Sequence, residues 1–476
     1  MATWMANVFV LSRTALYELI HRVEQQLMLR AEPLALPAPE KQASTVAITS
    51  TRLGRTVLTA SLPGKMAPLR QMLNEAFDQT RSIGWISELL TAAGHKAGRV
   101  LHDIDTSPLG TVIAARDETF FQGSPLLLLI DPVSTVILLA QVTDDRKADT
   151  WGAALLIAQE QGVAIGGLVE DMARMYGKSQ EAAALDVPVQ KDVWHIQRDG
   201  SQLLRDLERT AFQATHQVVK LEKKLLRQWD DTLFDEKYIP AVRQEERRYD
   251  QHAALAEWLS HFVDALELVD WRSGEIRDRA LNEWLLEESL TAIDQPRVQK
   301  WVKTLRRHQA QLLTALDWLA TAWQPYGAQL AQIGFADQQE SFTQIVARHW
   351  RLQQALINGH RSFGQHAQAA TAAFETLVAA DSQRRLLADK LWALLNAACR
   401  TSSMMEAING LLKQFLHNHQ AFRRPETLQL YLNLFVLWHN MRVFERGKRQ
   451  EKSPYQLAGI DPGADDWLTL LGYPVT

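Results

Sequence analysis

The chain has 476 residues, room for about three domains with sizeable buried cores. Its 46% hydrophobic and 22% charged residues exclude a disordered or fibrous chain, and its one cysteine, Cys399, excludes a disulfide framework and a cysteine-ligated metal centre. Charge is uneven: residues 111–200 hold 7 Lys/Arg against 13 Asp/Glu, and residues 395–452 hold 9 against 4. A cation site beside a polyanion-binding surface needs such a contrast. No apolar run reaches the 18 or so residues of a membrane span, and the first residues do not read as a secretory signal, so a cytoplasmic protein is expected.

Residues 8–30 carry apolar side chains at helical spacing, from Val8 and Leu11 to Val23 and Leu27. Leu-Ser-Arg-Thr-Ala-Leu-Tyr, starting at Leu11, is similar to the turn leading into a recognition helix. The Pro/Ala stretch at 32–40 reads as a linker, so 1–40 is a helix-turn-helix-like segment with its tether. The Thr/Val/Leu-rich stretch 46–60 is expected to pair as a short ribbon. A helix ending near 80 follows, then a helix capped by Ser82 and stopped at Gly94, then another from His95 to Asp103. Two helices joined through a glycine make 41–110 a second helical DNA-binding domain.

Residues 111–200 change character. Strands are expected over 111–117, 125–131 and 135–142, the last two joined by a turn at Asp131-Pro-Val-Ser. A helix over 149–161, a buried strand over 163–171, a helix over 179–185 and a strand over 187–196 complete a mixed five-stranded sheet with helices on its faces. Residues 201–394 read as all helical, with few prolines and nine of the fifteen tryptophans. Further helices are expected over 400–415 and 427–441, and 453–476 forms a C-terminal tail.

Two acids occupy informative places. Asp117 lies towards the end of the first strand, and Asp171 closes the fourth. Carboxylates converging at neighbouring strand ends repel unless a cation lies between them, and paired hard oxygen donors suit Mg²⁺ or Mn²⁺. Such a site can activate water and clamp both oxygens of an in-line phosphoryl transfer. Glu118 adjoins Asp117 and Glu170 adjoins Asp171, and because strand neighbours face opposite ways only one of each pair reaches the site. His417-Asn-His419 is no metal motif, and no Walker loop, GxGxxG or nucleophile elbow is present.

Three strands, helix, strand, helix, strand, with Asp on the first and fourth strands, resembles the RNase H-like core of DDE-type transposases. Asp192-Val-Trp-His195 on the fifth strand is similar to the Asp-x-x-His motif of a branch that inserts a helical domain before its catalytic Glu. In Arg400-Thr-Ser-Ser-Met-Met-Glu406 through Lys413, Glu406 and Lys413 share a helix face seven residues apart, resembling the end of a signature found in bacterial insertion-sequence enzymes. That signature's upstream Tyr and Arg are missing at its spacing; position 402 is Ser402 and the nearest base is Arg400.

The resemblance implies an α/β RNase H-like core split into 111–200 and 395–452 by an all-α insertion at 201–394. It implies metal-dependent DNA strand cleavage and transfer at the ends of an insertion sequence, with Asp117, Asp171 and Glu406 holding two Mg²⁺ ions that Mn²⁺ can replace. Asp192 and His195 would support the site or touch the strand. Arg400, Lys413, Arg423, Arg424, Lys448 and Arg449 would contact DNA. Implied partners are double-stranded DNA, as terminal inverted repeats and target, and further copies of the chain, a homodimer or higher oligomer at the nucleoid and not at a membrane. The alternative is a transposase-derived DNA-binding regulator without chemistry. Either way, the insertion should leave the sheet after His195 and return beside it near Arg400, its bulk forming a separate body.

Overall fold

A computed structural model describes residues 49–475 except 294–295, 297, 333–338, 380, 420–421, 423 and 448. The expected helix over 8–30, the linker, Arg423 and Lys448 lie outside the described residues. Five strands, β1 (Thr111–Phe121), β2 (Ser124–Ile130), β3 (Ile137–Val142), β4 (Ala164–Glu170) and β5 (Val189–Lys191), make one sheet in the order β3-β2-β1-β4-β5. The first three are antiparallel, and β4 and β5 run parallel to β1. Gln122 and Gly123, both at positive φ, close the β1–β2 hairpin, as a two-residue turn matching strand twist requires. The parallel steps are bridged by α4 (Ala148–Glu160) and α5 (Met175–Ala182). Apart from its first residue β2 is buried throughout, which explains its unbroken apolar run.

Three helices precede the sheet: α1 (Ser50–Ser61), α2 (Met66–Phe77) and α3 (Ile83–Asp103). The ribbon expected over 46–60 is corrected here, since Ser50–Ser61 is helical. Leu53, Val57 and Leu58 bury one helical face, and packing overrides the strand preference of Thr and Val. Ser82 caps α3 as expected, accepting from Trp85 N at 3.0 Å. The stop at Gly94 is also corrected: α3 runs unbroken, so this glycine forms no helix-turn-helix. The stripe Ile86, Leu90, Ala93, Ala97 crosses Gly94 without a phase change. Gly94 instead serves close approach, because a Cβ there would lie 2.3 Å from the Leu430 carbonyl oxygen on α15 (Pro425–Met441). These helices share one core with the sheet.

The insertion consists of α6 (Val193–Arg227), α7 (Ile239–Asp264), α8 (Arg279–Ala292), α9 (Gln299–Arg307), α10 (Thr314–Gln332), α11 (Gln339–Ile357), α12 (Gly364–Ala379) and α13 (Ser382–Ala397). Helix α14 (Ser403–Asn418) follows and leads to α15. Among the described residues the insertion adds no strand to the sheet. It has its own core, around Phe262, Leu286, Val302 and Leu391. Residues Ser50–Thr476 together form one compact unit. Trp318 touches both cores and lies over Gly167 of β4, where a Cβ would meet its ring at 2.6 Å.

Both sheet edges are occupied, which removes the hazard of free strand edges. At β3 the Asn440 amide bonds Ile137 N (2.9 Å) and O (3.1 Å), and the Gln429 amide bonds Val142 N (2.7 Å) and Ala140 O (3.1 Å). At β5 the Gln190 side chain bonds Leu312 O and Ala315 N, while Thr314 Oγ1 donates to Val189 O.

Candidate active site

The strand expected over 187–196 ends at Lys191, and Asp192 caps α6, accepting from Trp194 N at 2.7 Å and His195 N at 3.4 Å. A capping carboxylate at this point starts the helix before the strand can continue, so His195 sits in the first helical turn and not on β5. Asp192 is 1% exposed and also accepts from Ser402 N at 3.0 Å and from the Ser402 hydroxyl. Val193 N donates to Arg400 O at 3.0 Å. The insertion therefore leaves and returns at one point, as its placement between the two parts of the sheet domain requires.

Parallel pairing sets Ala115 of β1 abreast of Val169 of β4. Continuing that register two residues brings Asp171, just past β4, level with Asp117, and the pleat turns both to the same face. Helix α14 packs on β1. Its Asn409 donates from Nδ2 to Asp117 Oδ2 at 3.1 Å, and the charge of Glu406, one turn earlier on the same helix face, acts on Asp117. From the other side comes His195, its Nδ1 2.8 Å from Asp192 Oδ2 and its Nε2 3.6 Å from Glu406 Oε1. Asp117, Asp171, Glu406, His195 and Asp192, all singled out from sequence, thus meet.

The electrostatics follow from this crowding. Burial, reinforced by the charges of Glu118, Glu406 and Asp171 and opposed by His195, pushes Asp117 up to about 7. Burial pulls His195 down, but its bond to Asp192 and the Asp192 charge outweigh this, leaving it raised. Burial would raise Asp192, yet the bonds from His195 and Ser402 hold it below the ordinary range. Among the described residues no three His, Cys, Asp or Glu side chains close on one point as ligands of a single ion. The arrangement is an acidic recess with one carboxylate held at an energetic disadvantage.

The neighbouring glutamates are engaged elsewhere. Glu170 is 1% exposed, its carboxylate bonded by Arg116 Nε at 2.8 Å and Lys191 Nζ at 2.6 Å. Arg116 lies over the rings of Trp151 and Tyr176, on the α4–α5 face. Glu118 accepts from the Tyr176 hydroxyl and from Arg146 at 2.7 Å. Asp117 is therefore the member of its pair that faces α14, while Asp171 stands apart from the partners of Glu170 and accepts from Ala173 N at 2.7 Å.

The basic residues divide differently from expectation. Arg400 spends its guanidinium on Leu266 O and on Glu267, 2.9 Å away, clamping the insertion to the return point. Arg449 bonds Val133 O at 3.1 Å and Pro132 O at 3.3 Å. Both arginines use these bonds to hold parts of the fold together. Lys413 and Arg424 are exposed, and Arg424 precedes α15. Sequence reasoning missed Asn409, Ser402 and Lys191; the available signal for Asn409 was its spacing of three from Glu406 on an amphipathic helix. Lys191 Nζ also donates to the Asp171 carbonyl at 3.0 Å. No protein-family model matches the sequence, and no curated protein matches it.

Proposed function

We propose that the protein is a DDE-type DNA transposase with an RNase H-like core, catalysing strand cleavage and transfer at the ends of an insertion sequence. The observation that carries this reading is the meeting of Asp117 with the Glu406–Asn409 turn, Asn409 lying 292 residues further along the chain. An all-helical insertion leaves the sheet at Asp192 and returns at Ser402 to present that turn, which a merely structural helix does not require. The sheet, three antiparallel strands then two parallel ones reached through helices, agrees with such a core.

The donor set suits hard divalent cations: Asp117, Asp171 and Glu406 would hold two Mg²⁺, or Mn²⁺ in their place. When bound, the ions supply activation of a water or 3′-hydroxyl oxygen and charge stabilisation of the leaving oxygen. Each residue nearby has a task in that scheme. Asn409 fixes the Asp117 carboxylate. Asp192 orients the His195 ring, which steadies Glu406 through Nε2. Lys191 holds the backbone of Asp171. Lys413, exposed on α14, meets phosphate. Terminal inverted repeats and target DNA are the partners in this reading, bound by a homodimer or higher oligomer at the nucleoid.

The test is nicking of supercoiled plasmid carrying the DNA that flanks the gene. Wild type with Mg²⁺ should nick it, EDTA should stop the reaction, and Asp171→Asn should be inactive while still binding the plasmid. Nicking by Asp171→Asn near the wild-type rate sinks the assignment.

A further inference from the structure

Helix α9 has an unusual charge pattern. Between Asp294 and Asp317 the sequence contains no acid but five Lys or Arg residues. Val298, Val302 and Leu305 bury one side of this segment, and Lys300, Lys303 and Arg307 stand exposed on the opposite side. Spacings of three and four place them in one stripe. Arg306 is different, turned back to the Leu290 carbonyl at 3.0 Å.

Several arginines elsewhere on the insertion pair with nearby acids, among them Arg198 with Asp199, Arg209 with Asp206 and Arg279 with Glu283. Among the described residues Lys300, Lys303 and Arg307 form no ion pair. The helix itself is firmly seated. Trp301 packs against α6 at Gly200, where a Cβ would lie 2.9 Å from the indole. Gly200 is five residues beyond His195, about 7.5 Å along the helix axis. After α9 the chain reaches Leu312, whose carbonyl accepts from Gln190 of β5 at 2.9 Å. The basic stripe is thus carried by a helix seated on α6, and the chain that follows it binds β5; both elements frame the acidic recess.

We infer that this face of α9 is a docking surface for the phosphate backbone of duplex DNA, holding the duplex whose scissile strand enters the recess. The inference rests on the proposed function and adds a surface to it, since the expected contacts Arg400 and Arg449 are committed inside the fold. Three cations without a partner among the described residues complement a polyanion. Lys300 to Arg307 spans about 10 Å, the axial length of about three phosphates of one strand at about 3.4 Å each. The contact is to backbone and carries no base preference.

The experiment measures binding of full-length protein to a fluorescein-labelled random-sequence duplex, in EDTA, over a range of NaCl concentrations. Each phosphate contact contributes about 0.9 to the slope of log K against log salt. The triple variant Lys300→Ala/Lys303→Ala/Arg307→Ala should lower that slope by about 2.7, and Lys300→Arg/Lys303→Arg/Arg307→Lys should restore it. Circular dichroism of both should match wild type, because the three side chains lie outside the core. An unchanged slope in the folded alanine variant, or no recovery in the charge-keeping variant, overturns the inference and leaves the recess reading standing. Wild type that fails to bind duplex at all overturns the transposase reading itself.

Discussion

Replacing Asp117 by Asn should stabilise the metal-free protein while abolishing its chemistry. The carboxyl is raised from 3.8 to about 7 by burial and by its acidic neighbours. At 1.36 kcal/mol per unit this is worth about 4 kcal/mol. The sign follows from proton linkage. Between about pH 4 and 7 the unfolded chain has lost this proton and the folded chain keeps it, so stability falls as pH rises through the interval and is level above it. Asn carries no charge to lose and can still accept from Asn409, though with one oxygen it forgoes the bond from Glu118 N, at a cost of about 1 kcal/mol. The net gain above pH 7 is about 3 kcal/mol. At about 2.1 cal/mol/K per residue the unfolding entropy approaches 1 kcal/mol/K, so the melting midpoint should rise by about 3 °C at pH 8 and fall by up to about 1 °C at pH 4, where only the lost bond remains. Differential scanning calorimetry in EDTA across that range measures this. A gain in Asp117→Asn that does not depend on pH, or a loss at pH 8, refutes the electrostatic origin of the strain in the recess.

Three further outcomes follow from single contacts. Asn409→Ala removes the donor that fixes Asp117 and should lower plasmid nicking about tenfold or more with duplex affinity unchanged; equal loss of binding and nicking would contradict it. Asp192→Ala leaves the donors of Ser402 and the His195 ring without their buried partner and should cost about 3 kcal/mol in urea unfolding. It should also lower the His195 pKa measured by NMR, since Asp192 is what raises it; a His195 that titrates unchanged would show that Asp192 acts only as a helix cap. Gly94→Ala drives a Cβ into the Leu430 carbonyl and should destabilise by about 1–3 kcal/mol, whereas Gly177→Ala, where the added atom meets nothing, should be close to neutral in the same urea titration.

The sheet was legible because its strands are apolar runs bounded by turn residues, and the length of β2 was read to within a residue. The acids were legible because they stand at strand ends and on one helix face, positions that sequence spacing alone marks. What sequence alone hid was tertiary. Gly94 looks like a helix stop, but its meaning is the oxygen of Leu430, contributed from far along the chain. Asp192-Val-Trp-His195 reads as a continuing strand until the buried carboxylate is seen to cap α6 and to receive Ser402. Arg400 looks like a phosphate ligand, and only Glu267, brought back by the insertion, reveals it as a clamp. In each case the deciding partner is more than a hundred residues away, beyond the reach of periodicity or local propensity.

Whether Asp117, Asp171 and Glu406 share divalent ions on a DNA substrate is decided by anomalous diffraction from a Mn²⁺-soaked complex of the protein with duplex DNA. Two Mn²⁺ peaks about 3.5–4 Å apart are expected, ligated by Asp117, Asp171 and Glu406, with His195 still bonded to Asp192. A complex with a Glu406 carboxylate more than about 10 Å from both aspartates, outside any two-metal geometry, would contradict the transposase mechanism.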